Sequence, residues 1–358
     1  MSRAVSAAVP PLPHLAAPGP PGPTAPASAW RYRDAFPLPR RMPPVSLGEG
    51  FVPLEPLRVA GLPPGVLALR DDLEPTGSWK DRGSTLLVSA MRAAGIREAV
   101  EDSSGNAALS LAAYARAAGI RLRAFVPEST PDGKKALIAA AGAELVEVPG
   151  PRPAATRAAR RAAAHGAWWA SHAVRPLHAL GAATIAFNIH ERLGRVPREV
   201  VAPVGQGGLL SGLARGFEAL ASAGHGPMPR LVGVQSAACA PIAAACSRGD
   251  TRVVPAEPPA GRPLAEGVAI PDPARGDEAL AAARRSGGRI VAVDDLAVER
   301  ALRLLWLSGC KVEPTAALPV AWLLARAARG AGADAGDVVV VLTGAGIRQG
   351  RSLVDGLG

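Results

Sequence analysis

From about residue 40 onward, short apolar runs alternate with Ala- and Leu-rich stretches at intervals of roughly 20 to 30 residues, and this rhythm leaves few folds open. The runs at 65–70, 97–101, 121–126, 143–148, 165–170, 198–204, 230–235, 289–294 and 337–343 read as strands. Most are apolar on both sides, which suits parallel strands covered by helices on both faces. The stretches 105–118, 132–142, 152–164, 178–193, 209–222, 294–308 and 315–329 read as the intervening helices, several followed by the glycine expected at a helix end. The fold class is therefore α/β, built on mostly parallel open sheets. The Pro- and Gly-rich stretch 249–276 reads as the longest irregular loop.

A chain of 358 residues with 48% hydrophobic content can bury a large core, enough for two domains or for one domain carrying an insertion. Residues 1–40 begin with an almost uncharged Ala/Pro run that lacks any periodicity, and they read as a disordered tail. Prolines at 10, 11 and 13 interrupt any secretory signal, and no apolar stretch approaches the roughly 20 residues of a membrane span. Cys239, Cys246 and Cys310 lack CxxC spacing, which argues against a disulfide framework and against a thiolate metal site. No metal is expected, and the location expected is the cytoplasm. The net charge of +10 raises the question of nucleic acid. Only four of the 40 basic residues are lysines, the remaining 36 arginines are scattered, and aromatic residues make up 4%. That is compositional bias without stacking platforms, so no nucleic-acid partner is expected.

Ligands of α/β proteins gather where strands end, and four such places carry unusual residues. PTGSWKDRG (75–83) puts Lys80, one of the four lysines, at a helix start beside Arg82. There the helix dipole and a neighbouring cation favour a lowered pKa and a nucleophilic amine, although the segment alone reads equally as a solvated lysine. SSGNAALS (103–110) offers Ser103, Ser104, the Gly105 amide and Asn106 at a helix N-terminus, either as an anion cradle or as a plain N-cap. PVGQGGLLSG (203–212) brings backbone amides of Gly205, Gln206, Gly207, Gly208 and Leu209 together as a phosphate loop would. Dinucleotide binding is excluded there, because the glycine spacing is wrong and the next strand ends in Gln235 rather than an acid. In VVVVLTGAGIR (338–348), Thr343 supplies one hydroxyl, or simply ends a strand. An amine nucleophile, an amide cradle, a phosphate loop and a lone hydroxyl together describe a site for pyridoxal 5'-phosphate.

At this point the chain resembles the fold type II pyridoxal-phosphate enzymes, the threonine synthases among them, from SLGEGFVPL (46–54) to TGAGIR (343–348). The resemblance implies that Lys80 carries the cofactor covalently and that Asn106 faces its phenolic oxygen. It implies that residues 205–209 wrap the phosphate and that Thr343 faces the pyridine nitrogen. By the same resemblance Ser103, Ser104 and Gly105 hold a substrate carboxylate. Arg175, with Lys134 and Lys135, would supply cations for a leaving phosphate. The implied architecture has a small mobile domain, 86–184, set into a larger cofactor domain made of 41–85 and 185–358, and a homodimer is usual for the family. The implied activity is a lyase that turns O-phosphohomoserine and water into threonine and phosphate. Elimination or replacement on another amino acid is the alternative, and a binding protein without turnover is a further one. Three departures bear on the substrate: Val52 stands where the family has threonine, ASHAVRP (170–176) lacks an amide of ASHNxNP, and Ala183 replaces a lysine.

Overall fold

The computed structural model describes residues 9–22, 24–39, 41–330 and 337–346. All nine runs read as strands contain one, and an additional short strand precedes them. The strands are β1 (Leu54–Pro56), β2 (Val66–Leu69), β3 (Glu98–Glu101), β4 (Arg121–Pro127), β5 (Glu144–Val148), β6 (Trp168–Trp169), β7 (Glu199–Pro203), β8 (Arg230–Ser236), β9 (Arg289–Val293) and β10 (Val338–Val341). They form a six-stranded sheet, β1-β2-β10-β7-β8-β9, and a four-stranded sheet, β5-β4-β3-β6. Every pairing is parallel except β1 on β2. β1 escapes the apolar pattern because it is a three-residue edge strand ending in proline, which lacks the amide a central strand would need.

The helices are α1 (Lys80–Ala93), α2 (Asn106–Ala118), α3 (Asp132–Ala140), α4 (Arg152–Ala164), α5 (Pro176–Leu180), α6 (Ala183–Leu193), α7 (Gly208–Ser222), α8 (Pro241–Arg248), α9 (Gly276–Arg285), α10 (Asp295–Leu307) and α11 (Pro314–Ala328). The stretch 178–193, read as one helix, is two. Between them Gly181 lies so close to the Arg82 carbonyl that a side chain there would overlap it, which locks α5 and α6 against α1. One apolar core covers one face of the larger sheet and includes Leu69, Phe187, Val200, Leu213, Leu231 and Val341. A second, with Val66, Val201, Val232, Leu305, Leu318 and Val340, covers the other. Alternate residues of a single strand thus enter opposite cores, which is why these strands are apolar throughout.

The segment read as a disordered tail differs from that expectation over its described part. Ala29–Ala35 is a 3-10 helix, and Trp30, Tyr32, Ala35 and Phe36 are buried in the first core. Trp30 Nε1 donates to Thr85 Oγ1 at 2.7 Å, and Tyr32 Oη donates to Glu191 at 2.7 Å. The average Ala/Pro character hid three aromatic rings within seven residues, each carrying enough apolar area to outweigh the entropy of ordering a short segment. Further upstream Leu12 is also buried; its amide donates to Glu278 at 3.1 Å, and the Pro10 carbonyl accepts from Arg275 at 3.0 Å. No helix among the described residues is long and apolar enough to cross a membrane.

Candidate active site

Strand ends from both sheets meet at one cavity of about 200 Å³. Its walls include Lys80, Ser103 to Asn106, Gly205 to Leu209 and Thr343. Four segments far apart in sequence are therefore brought together.

Lys80 opens α1 after β2, and its entry is held by two devices. The first is a buried ion cluster in which Arg82, with no exposed surface, pairs with Asp71 at 2.7 Å and Glu74 at 3.0 Å. Its guanidinium also donates to the Gly50 carbonyl, Thr184 Oγ1 and Asn188 Oδ1 at 2.8, 3.1 and 3.1 Å. The second is a link to the end of β10, where the Trp79 amide donates to the Thr343 carbonyl at 3.1 Å and the Ala345 amide to the Gly77 carbonyl at 2.9 Å. The Lys80 and Thr343 turns are thereby fixed to one another. The Lys80 ammonium lies 4.3 Å from the Trp79 ring centroid. Burial pushes its pKa down to about 8; Glu101 opposes this and Arg152 adds to it. The lowered pKa follows the sequence reading, but its cause differs. Arg82 points away into the ion cluster, and loss of water from around the amine does the main work.

Asn106 begins α2, whose N-cap, Gly105, offers no side-chain cap. Ser103 Oγ accepts from the Gly105 amide at 3.2 Å, while Asn106 Nδ2 donates to both carboxylate oxygens of Glu313 at 3.1 Å. In the glycine loop Gly207 has φ +91° and precedes α7, again without a side-chain cap. A Cβ on Gly207 would overlap the carbonyl of Arg275. The loop therefore presents bare helix-start amides, an arrangement suited to a phosphate. The side chains of Gln206 and Leu209 are engaged elsewhere. Gln206 accepts from the Ala274 amide through Oε1 at 2.8 Å, and Leu209 is buried in the core. Gly212, which imitated part of a dinucleotide fingerprint, serves packing, since a side chain there would overlap Ala179 and Ala182. Gln235 accepts from the amides of Ile242 and Ala243, both at 2.9 Å, and so anchors α8.

Thr343 Oγ1 is buried without a hydrogen-bond partner among the described residues. An unsatisfied hydroxyl at the wall of a cavity costs free energy unless a ligand atom meets it. With Lys80 and the bare amides of the glycine loop, it fits pyridoxal phosphate: an amine for the aldehyde, amides for the phosphate and a hydroxyl for the ring nitrogen.

Arg175 is not brought to the cavity. Its Nε donates to the Trp169 carbonyl at 2.6 Å, and its guanidinium stacks 4.0 Å from the Trp168 ring centroid. Lys134 does line the cavity, where it pairs with Glu266 at 2.9 Å, whereas Lys135 pairs outside it with Glu147. Sequence reading missed Glu313, Arg152, His172 and His178, all lining residues, and Glu101 just behind them. For Glu101 a signal existed: a carboxylate stands at the carboxyl end of β3, where ligands gather. Gly207→Ala is expected to weaken pyridoxal-phosphate binding at least tenfold and to lower stability by about 1–3 kcal/mol, from left-handed backbone strain and overlap with Arg275. Equilibrium dialysis and urea unfolding check the two effects.

Comparison with known proteins points to the same cofactor. The family model described as pyridoxal-phosphate dependent enzyme matches residues 45–344. A threonine synthase of Synechocystis sp. is 34% identical over 342 residues, covering 91% of this chain and 86% of its own length. One from Mycobacterium tuberculosis is 32% identical over 340 residues, covering 91% of both. Among solved structures, a T.th. threonine deaminase is similar with a TM-score of 0.67 and 30% identity, over 78% of this chain and 87% of that one. A fungal L-serine ammonia-lyase from Rhizomucor miehei has a TM-score of 0.70 at 22% identity, over 82% and 93%, a likeness of fold. The chain belongs to the pyridoxal-phosphate dependent enzymes, as a threonine synthase-like lyase of fold type II.

Proposed function

We propose that this lyase acts on a small amino acid bearing an oxygen leaving group, and that its reaction is of the threonine synthase type, O-phosphohomoserine and water giving threonine and phosphate. The observation that carries the reading is the buried Lys80 amine, with its pKa lowered to about 8, in one cavity with the glycine loop, Asn106 and Thr343. Relatives named threonine synthase, similar over nine tenths of the chain, support the choice of reaction. When bound, the cofactor supplies an electron sink for the substrate's α-carbon.

The residues around it have separable tasks. Lys80 holds the cofactor and, once released, takes and returns substrate protons, for which a pKa near the working pH is the best compromise. The neutral hydroxyl of Thr343 accepts or donates one hydrogen bond without adding charge to the ring. The start of α2, with Ser103 and Ser104, receives a substrate carboxylate. Arg152 and Lys134, both at the cavity wall, serve a leaving phosphate, Arg152 taking the place that the resemblance gave to Arg175 beside Lys134. The four-stranded sheet within segment 86–184 closes with its helices on the rest and excludes water from the Lys80 amine.

A second reading, ammonia release from serine or threonine, is favoured by Ala173 at the cavity wall, where the family's sequence pattern carries an amide. Initial rates with O-phosphohomoserine, serine, threonine and O-phosphoserine decide between the two. Phosphate and threonine from the first substrate support the threonine synthase reaction. Ammonia from serine or threonine, with no phosphate release, replaces it with the second reading.

A further inference from the structure

Glu101 and His172 form a polar pair that the roles assigned above do not use. Glu101 is the last residue of β3, and His172 follows β6, its parallel neighbour, so both project from adjacent strand ends. His172 Nδ1 lies 2.7 Å from Glu101 Oε1, and the Glu101 side chain has no exposed surface. The second oxygen of Glu101 has no hydrogen-bond partner among the described residues. His172 lines the cavity with Lys80, and its ring lies edge-on to that of His178 at 5.7 Å. The charged and titratable groups facing the pair are Lys80 from α1, Asp102 beside Glu101, Arg152 from α4 and His178 from α5. Asp102 is turned elsewhere, accepting from Thr156 Oγ1 at 2.7 Å and Trp169 Nε1 at 3.4 Å. Burial holds the Glu101 carboxyl well above the usual carboxylate range and keeps His172 neutral.

A buried carboxyl beside a buried amine has a physical use when the two change charge together. We propose that His172 is a second acid–base residue of this site, serving the substrate's leaving oxygen, and that Glu101 is its positioning and proton-supplying partner. The step balances. Lys80 takes the hydrogen from the substrate's carbon as a proton and becomes an ammonium. The carbon–oxygen bond breaks, its electron pair stays with the departing oxygen, and that oxygen receives the proton on His172 Nε2. His172 Nδ1 takes the proton of Glu101, which becomes a carboxylate. A neutral amine and a neutral acid are thereby replaced by an ammonium and a carboxylate, so the buried site never carries an uncompensated charge. In the reverse sense the same pair draws a proton from an added water.

This inference rests on the reading of the protein as a lyase of oxygen-bearing amino acids, and its test has one arm independent of that reading. In the first arm, apoprotein is mixed with pyridoxal phosphate at a series of pH values, and the rate of appearance of the lysine-bound cofactor's absorption band is followed. A glutamine at this position cannot become the carboxylate that compensates the Lys80 ammonium, so Glu101→Gln is expected to move the midpoint to lower pH by about one unit. His172→Asn is expected to reduce that coupling. In the second arm, His172→Asn is assayed on serine and on β-chloroalanine, whose chloride departs without a proton. General acid catalysis supplies about 10²–10⁴-fold, so kcat on serine should fall by about 10² or more while β-chloroalanine loses less than about tenfold. Equal losses on both substrates, or none on either, overturn the proton-delivery role. If the wild type turns over neither these nor O-phosphohomoserine, the lyase reading itself fails, and the first arm still decides whether Glu101 and Lys80 are coupled. An unmoved midpoint in Glu101→Gln overturns the pairing.

Discussion

Lys80→Ala is expected to abolish the visible band of the lysine-bound cofactor and to reduce turnover by about 10⁴-fold or more, because one substitution removes both the attachment amine and the proton carrier. The size of the effect follows from the absence of a substitute close by. Lys134 is engaged with Glu266, and Arg152 carries a guanidinium, which does not serve as a nucleophilic amine. The fold should be intact, since Lys80 is not part of the ion cluster that sets the start of α1. Far-ultraviolet circular dichroism and the urea midpoint should therefore match the wild type. Full activity in Lys80→Ala with added cofactor would mean that the amine is not the catalytic group.

The largest expected loss of stability belongs to Arg82→Met. The substitution keeps most of the volume and deletes the charge that neutralises Asp71 and Glu74, each without exposed side-chain surface. Removing one partner from such a buried cluster costs about 3–5 kcal/mol. The deficit depends on pH with a definite sign. Burial already raises both carboxyls, and Arg82 is the main group that lowers them. Without it their folded pKa values rise further, so the folded state binds protons that the unfolded state releases above about pH 4. Urea unfolding should show the variant falling further behind the wild type as pH rises from about 5 to about 8. A deficit that does not change over this range would locate the damage in packing rather than in charge. Cofactor affinity should fall too, because the same cluster bonds Gly50, Thr184 and Asn188 around the Lys80 turn.

Which parts of the molecule were legible in its sequence follows from which forces are periodic. Strands such as Val338–Val341, and Val200–Val201 within Glu199–Pro203, are apolar because both faces are covered, and composition alone exposes them. The glycine loop and PTGSWKDRG were legible because bare amides and a lone lysine need unusual residues in tight spacing. The threonine synthase-like resemblance followed from those residues. What stayed hidden depends on contacts across the chain. Glu313 meets Asn106 across 207 positions, and Glu101 meets His172 across 71, so neither pair leaves a local signature. Arg175 shows the opposite error: a cation in a promising motif whose head is taken by a carbonyl and an indole. The three aromatic rings of 29–36 were lost in the average of a proline-rich segment. The expectations for residues 1–8, 23, 40, 331–336 and 347–358 lie outside the described residues.

The buried Arg275 draws a practical consequence from the beginning of the chain. Its guanidinium holds the carbonyls of Pro10 and Val174 while its own backbone presses against Gly207, so the extended segment around Pro10 braces the rim of the phosphate loop. Anyone shortening this protein for expression would cut before residue 40, where the composition looks expendable. That cut would strip Trp30 and Phe36 from the core and at the same time take from Arg275 its Pro10 contact. A trimmed protein that came off the column colourless would then report a missing brace, and the cofactor chemistry of Lys80 would remain to be judged on the untrimmed chain.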